Sequence, residues 1–228
     1  LGSGTVMCLG NYFSDADSDP HLEFDPDADD TGVNQAGTIG IDNGLRVAMG
    51  DEAVCVIDSG NAVQCMGHRD SVGNTGLTET QWDPAPVPNL TVGADHDIDG
   101  GDRITCVAGR TQVGTLRCWG RPTSWQEAST AYGTATMTTP ALGRDHICAL
   151  DGGDVKCRGA CDEGQCGTNE TIFEHTITSI VSDATNVWAG SKTTCAKQTD
   201  GQVLCWGKMN NSQTSSYLPS AIQWVSGS

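Results

Sequence analysis

Apolar residues along this chain come in short bursts that alternate with polar ones and are cut by Gly, Asp or Asn. One burst recurs. A cysteine, a short turn and then V/L-x-C-x-G occur at Cys55 to Cys65-Met66-Gly67, Cys106 to Cys118-Trp119-Gly120, Cys148 to Cys157-Arg158-Gly159 and Cys195 to Cys205-Trp206-Gly207. Val6-Met7-Cys8-Leu9-Gly10 is the second half of the same phrase. A fixed phrase repeated along a chain marks a repeat architecture.

Each full phrase predicts a β-hairpin. Val, Ile, Thr and Ala precede the turn, and the turn carries Asp58-Ser59-Gly60-Asn61, Asp151-Gly152-Gly153-Asp154 or Thr199-Asp200-Gly201-Gln202. Those residues supply the positive-φ positions of tight hairpin turns. Val203-Leu204-Cys205-Trp206 then alternates as a strand does. Cysteines flanking the turn face each other across the hairpin, at a separation a disulfide spans. The predicted pairs are Cys55–Cys65, Cys106–Cys118, Cys148–Cys157 and Cys195–Cys205.

A glycine precedes each first cysteine by five positions: Gly50, Gly101, Gly143 and Gly190. Three residues before it stand Val47, Ile98, Pro140 and Val187. This reads as a short strand, a bend and then the hairpin. Three or four short strands per unit suggest one propeller blade. The expectation is an all-β fold: a β-propeller of about five blades whose hairpins are stapled by disulfides. It forms a single domain over residues 1–228, with an acidic insertion at 11–38. Trp224 to Gly227 has the phase of a first strand and bend, and Thr5 to Leu9 that of a later strand. The N- and C-terminal strands are therefore expected to share one blade, which lacks the strand between them and a partner for Cys8. Leu1 is not methionine and no signal peptide is visible, so the chain reads as a processed form or a fragment.

The pattern resembles the secreted, cysteine-bearing branch of the repeats of the regulator of chromosome condensation. The clearest copy runs Leu142-Gly143-Arg144-Asp145-His146-Ile147-Cys148-Ala149-Leu150 and continues from Cys157 through Gly164-Gln165-Cys166-Gly167. The family phrase is approximately V-x-A-G-x-x-H-x-C-A-L-x-x-D-G-x-V-x-C-W-G-x-N-x-x-G-Q-L-G. The resemblance covers most of the chain, is loose in the first two units, and leaves 11–38 unmatched. Family rings commonly have seven blades, against five copies here. Leu9, Met66 and Arg158 replace the family tryptophan. Cys161 and Cys166 replace the usual Asn and Leu of the phrase's tail, and a local Cys161–Cys166 bridge is expected there. His146 sits at the family's histidine position, which implies a structural hydrogen-bonding role beside its hairpin.

Eleven cysteines in hairpin register imply an oxidising compartment, secreted or at the cell surface. Zinc is the rival reading, with Cys157, Cys161 and Cys166 as ligands, although no second cluster exists. No apolar run reaches the ~18 residues of a transmembrane helix. The net charge of −17 argues against nucleic-acid binding, which needs phosphate-neutralising cations. Acidity has two readings, solubility and calcium. Asp15, Asp17, Asp19, Asp25 and Asp27 offer hard oxygen donors at alternate positions, as does the stretch Asp95, Asp97, Asp99. Neither carries the full EF-hand pattern: position twelve is Pro26 in one and Cys106 in the other. Asn89, Asn169 and Asn210 stand in glycosylation sequons.

No catalytic signature is present: no G-x-S-x-G, no H-E-x-x-H, no phosphate loop. The expectation is not an enzyme, with no cofactor required and calcium as a candidate ion. The leading reading is a non-catalytic extracellular scaffold or protein-interaction module, including a self-assembling cell-surface or filament subunit. The alternative is a secreted enzyme inhibitor or glycan-binding lectin. Some secreted proteins of this resemblance are surface proteins, and one inhibits β-lactamases. Expected partners are a protein or a cell-surface glycan, together with a homo-oligomer. Trp82, Trp125 and Trp224 lie outside the cysteine phrases as candidate platforms.

If Asp15 to Asp27 bind calcium only in the folded state, millimolar calcium raises the melting temperature relative to chelator. The gain is ~2.7 kcal/mol at a hundredfold excess over Kd. Identical melting curves reduce the stretch to a solvated acidic loop.

Overall fold

The computed structural model describes residues 4–9, 36–38, 40–50, 52–73, 81–88, 90, 92–93, 95–102, 104–109, 116–120, 131–132, 137–159, 161–167, 178–208 and 216–221. Every regular element among the described residues is a strand. The architecture is a β-propeller, as the repeat predicts. Blade 1 contains β3 (Gly44–Met49), β4 (Ala53–Asp58), β5 (Val63–Gly67) and β6 (Gln81–Pro86) in that order. Blade 2 contains β7 (His96–Gly100), β8 (Ile104–Gly109), β9 (Leu116–Gly120) and β10 (Ala131–Tyr132). Blade 3 contains β11 (Met137–Leu142), β12 (His146–Asp151), β13 (Asp154–Gly159) and β14 (Thr178–Val181). Blade 4 contains β15 (Ala184–Ala189), β16 (Thr193–Gln198), β17 (Val203–Gly207) and β18 (Ser216–Ala221). All within-blade pairings are antiparallel. One parallel contact, Thr138 opposite Gly109, joins blades 2 and 3.

A fifth, two-stranded sheet pairs β1 (Met7–Leu9) with β2 (Ala36–Thr38). In phrase position, β1 corresponds to the third strand of a blade. Residues 36–38, at the C-terminal end of the expected acidic insertion at 11–38, thus form a strand. Ala36-Gly37-Thr38 is short and matches nothing in the repeat, so only its pairing to β1 reveals it. The C-terminal strand and bend expected to share this blade, Trp224 to Gly227, lie outside the described residues.

Turn chemistry explains the hairpins. In blade 1, Asp58 Oδ1 accepts from the N–H groups of Gly60 (2.8 Å) and Ala62 (2.9 Å), and Oδ2 from Gln64 Nε2 (2.7 Å). Burial opposes its ionisation, but those three bonds outweigh burial and hold the carboxyl below its ordinary range. In blade 3, Gly152 (φ 61°) and Gly153 (φ 99°) make the two-residue turn that positive φ requires. With the turns set, register follows. Cys55 lies opposite Cys65, Cys106 opposite Cys118, Cys148 opposite Cys157 and Cys195 opposite Cys205, each pair with a Cα separation of 4.1 Å. All four are disulfide-bonded, as is Cys161–Cys166. These bonds remove the zinc alternative at Cys157, Cys161 and Cys166, because a cystine sulfur has no thiolate to give a metal.

The core lies between blades. Each blade turns its cystine toward the blade that follows. Cys55 and Cys65 pack against Ile98, Val107 and Trp119 of blade 2. Cys106 and Cys118 pack against Met137, Leu142 and Ile147 of blade 3. Cys148 and Cys157 pack against Val187, Ala196 and Trp206 of blade 4. The residue three before each bend glycine faces the preceding blade, which is why Ile98, Pro140 and Val187 are buried. Val47 differs: it occupies the same position and is 44% exposed. Among the described residues, Val6 and Ile41 cluster with Val54, Val56 and Met66 of blade 1.

Each ten-residue hairpin loop contributes about 2–3 kcal/mol in the chain-entropy account of disulfides. Replacing Cys106 and Cys118 together by alanine should lower unfolding stability by that amount in denaturant titration. Peptide mapping without reductant should return the five local pairs, and a linkage such as Cys55 to Cys195 would refute the blade register.

Candidate functional site

The four bend glycines converge at the inner ends of the blades. In each, the glycine N–H donates to the carbonyl three residues on. The bonds run from Gly50 to Ala53 (2.9 Å), Gly101 to Ile104 (2.7 Å), Gly143 to His146 (2.9 Å) and Gly190 to Thr193 (2.8 Å). One sequence spacing thus builds one bend four times. Successive bends touch through their backbones. A Cβ on Gly50 would stand 1.9 Å from the Gly101 carbonyl oxygen, on Gly101 2.2 Å from that of Gly143, and on Gly143 2.5 Å from that of Gly190. No side chain larger than hydrogen fits at the first three positions.

The residues after Gly101, Gly143 and Gly190 reach the mouth. Asp102, Arg144 and Ser191 line a cavity of about 680 Å³, with Met49, Leu142 and the bend glycines. The Arg144 N–H donates to the Ser191 carbonyl (3.2 Å), linking adjacent bends. Its guanidinium Nε lies 3.3 Å from Asp102 Oδ2 and 3.5 Å from Asp145 Oδ2. Asp99 Oδ2 accepts from the Leu142 N–H (2.7 Å), again across a junction. Burial raises the Asp99 carboxyl above its ordinary pKa. Asp97 pairs with Arg46 at 3.8 Å. Asp97 and Asp99 of the second acidic stretch are therefore engaged in joining blades. Among the described residues, no three His, Cys, Asp or Glu side chains gather as a metal site.

Beside the mouth, blades 3 and 4 are latched. The turn closed by Cys161–Cys166 lays the Gln165 carbonyl over blade 4. That oxygen accepts from Trp206 Nε1 (2.9 Å) and Thr194 Oγ1 (2.8 Å). Thr194 has one hydroxyl proton and gives it to Gln165. Its 2.9 Å bond to His146 Nε2 is therefore donated by the imidazole. His146 is neutral with the proton on Nε2, and its buried Nδ1 has no partner among the described residues. Burial pushes its pKa down to about 4. Glu163 Oε1 closes the rim by accepting from Lys192 (2.9 Å) and Lys208 (3.1 Å). The bond to Glu163 holds the Lys192 ammonium above its ordinary pKa.

This geometry has counterparts among solved structures. Yeast Prp20p superposes with a TM-score of 0.62 at 18% identity, over 78% of this chain and 50% of that one. Human WBSCR16 gives 0.67 at 16% identity, over 83% and 56%. The CRINKLY WD40 ectodomain of the Arabidopsis thaliana receptor kinase ACR4 gives 0.51 at 15%, over 83% and 55%. Prp20 is yeast RCC1. The fold is an RCC1-like β-propeller. At these identities the likeness is one of fold, and the chain spans about half the length of each of the three. No protein-family profile and no curated protein sequence matches it.

Within this RCC1-like fold, all ten hairpin and turn cysteines of the sequence reading are brought together in pairs. Cys8 lies on β1 opposite Gly37. Asp15, Asp17, Asp19, Asp25 and Asp27 lie outside the described residues, as do Asn89, Asn169, Asn210, Trp125, Trp224 and the Trp82 side chain. His146 is structural as expected, but its bond crosses to the next blade rather than staying beside its own hairpin. Thr194 and the exposed Trp188 are absent from the sequence reading, and Glu163 stands in its clearest repeat copy without an assigned role. Gln165 and Trp206 stand in the repeat phrase itself, so their importance was visible there while their contact was not.

Two outcomes follow from this geometry. Gly101→Ala should destabilise by several kcal/mol, because a backbone carbonyl occupies the Cβ position; calorimetry reads it as a large drop in Tm. For His146, the folded pKa lies below the unfolded value of about 6.5. The unfolded chain therefore binds the extra proton between pH ~6.5 and ~4. Stability is full above that window and falls by about 3 kcal/mol as pH drops through it. Urea titrations at pH 7 and 4.5 should show that loss in the parent and a smaller one in His146→Asn.

Proposed function

We propose that this chain is a non-catalytic extracellular scaffold that engages other proteins through the loops between its blades. One observation carries the reading. The side chains best suited to chemistry near the axis are committed to blade junctions: His146 to Thr194, Asp99 to the Leu142 N–H, Arg144 to Asp102 and Glu163 to Lys192 and Lys208. The connections between blades differ in length and composition, and so supply a varied surface on a constant frame.

Other observations support the same reading. Five disulfides suit an oxidising compartment, secreted or cell-surface. Among the described residues, no helix is long and apolar enough to cross a membrane. Prp20p has binding properties toward Gsp1p and histones, yeast RCC1 is bound by Kap60, and the ACR4 propeller is an ectodomain. Protein partners outside the cell are the combination these precedents support. With a net charge of −17, the favoured partner surface is basic. Self-association as a cell-surface or filament subunit belongs to the same proposal, and native mass with and without reductant tests it.

Immobilised full chain should capture extracellular proteins with an association rate that falls steeply as salt rises. Saturable binding on a glycan array without protein capture would replace the reading with a lectin. Turnover in a hydrolase screen that is lost on substituting Asp102 or Arg144 would replace it with an enzyme.

A further inference from the structure

One arginine at the mouth serves two carboxylates. Arg144 Nε lies 3.3 Å from Asp102 and 3.5 Å from Asp145. The arginine and Asp145 side chains are both 56% exposed, whereas Asp102, on the cavity wall, is 12% exposed. An ion pair open to water gains little, so a guanidinium held this way exchanges readily. The Arg144 backbone is fixed by its bond to the Ser191 carbonyl, so the side chain can turn away without moving the bend.

Charge around the mouth favours a further cation. Among the described residues, Asp102, Asp145, Asp162 and Glu163 are four carboxylates, and Arg144, Lys192 and Lys208 are three cations. Four against three leaves one negative charge, on a chain whose net charge is −17. Lys192 and Lys208 are both held by Glu163 Oε1. Asp102 and Asp145 therefore share what Arg144 supplies.

Shape says what can carry that cation. The cavity of about 680 Å³ lies within the ~300–1,000 Å³ of ligand pockets and holds more than one side chain. Its bend glycines present bare main chain, which lets a guest backbone come close. Met49, 46% exposed, and Leu142 offer apolar contact to an aliphatic stem. Arginine and lysine join such a stem to a charged tip.

We propose that the mouth receives a loop of the partner protein, whose arginine or lysine takes the place of Arg144 on Asp102 and Asp145. The proposal rests on the scaffold reading and names the part of the partner that enters. Arg144 is a built-in competitor. It keeps the two carboxylates paired while the mouth is empty and turns outward when the guest arrives.

Titrating the full chain at low salt with acetyl-Gly-Arg-Gly-amide, followed by amide NMR, tests this. The peptide should bind saturably and shift the amides of Gly101, Gly143 and Ser191. Its citrulline counterpart, alike in shape but uncharged, should not. Asp102→Asn should weaken binding roughly tenfold or more, the loss of one charge-assisted bond. Arg144→Ala should tighten it, a gain that misfolding cannot imitate. No saturable binding, equal binding of the citrulline peptide, shifts confined to other amides, or weaker binding to Arg144→Ala overturns the proposal. Preference for acetyl-Gly-Glu-Gly-amide also overturns it, and assigns the mouth to a carboxylate held by Arg144. The two readings fail separately. Equal protein capture by the immobilised parent and Asp102→Asn keeps the scaffold and overturns the guest at the mouth. Arginine-peptide binding without protein capture removes the scaffold and keeps the cation site.

Discussion

Backbone meeting backbone at the propeller axis is the constraint on which the other contacts depend. Where one bend's Cα faces the next bend's carbonyl with no side chain between them, the inner strands come as close as main chains can. That approach sets the wedge angle between sheets. It then determines that the cystine of one blade reaches the inward residue of the next. It also brings Arg144 within reach of the Ser191 carbonyl, and His146 within reach of Thr194. A methyl group at Gly50 or Gly101 would have to push whole sheets apart, since the atom it strikes is main chain and not a flexible tip, and at Gly143 it would strike the His146 ring first and the Gly190 carbonyl behind it.

Polar chemistry at the third junction shows how such a frame accommodates buried groups. Gln165's carbonyl takes two donors, from Trp206 and Thr194, and Thr194 in turn accepts from His146. Every member except His146 Nδ1 is satisfied among the described residues. A network of this kind favours one arrangement over slipped alternatives, because any slip strands a buried donor. Its weak point is the imidazole, which holds together only while neutral.

Local order was the legible part of the fold. Turn residues, alternation and cysteine spacing each describe a stretch of a dozen residues, and each led to a hairpin that the structure contains. The four bend glycines were legible for the same reason. What stayed hidden was whatever depends on a second blade. Sequence alternation separates two faces of a strand, but in a propeller both faces are buried, so it cannot say which neighbour each one meets. Val47 reads like Ile98 and Val187 yet is exposed, because the difference lies in what stands before its blade. The strand Ala36–Thr38 was hidden for a related reason: small residues in an acidic stretch become a strand only when β1 offers an edge. Trp188 looks like one more apolar residue of an alternating strand until its face is seen to be open.

Placing the hydrophobic cores between sheets has a consequence for how such a protein changes over time. A blade here has no interior of its own; it contributes half of one core on each side. Gain or loss of a whole repeat conserves every interface, since one forward face still meets one backward face. A change in one half of a junction must instead be matched by a change about one repeat-length away in sequence. Drift in this fold should therefore run in correlated pairs spaced by a repeat, such as His146 with Thr194, while the loops that belong to no junction vary freely.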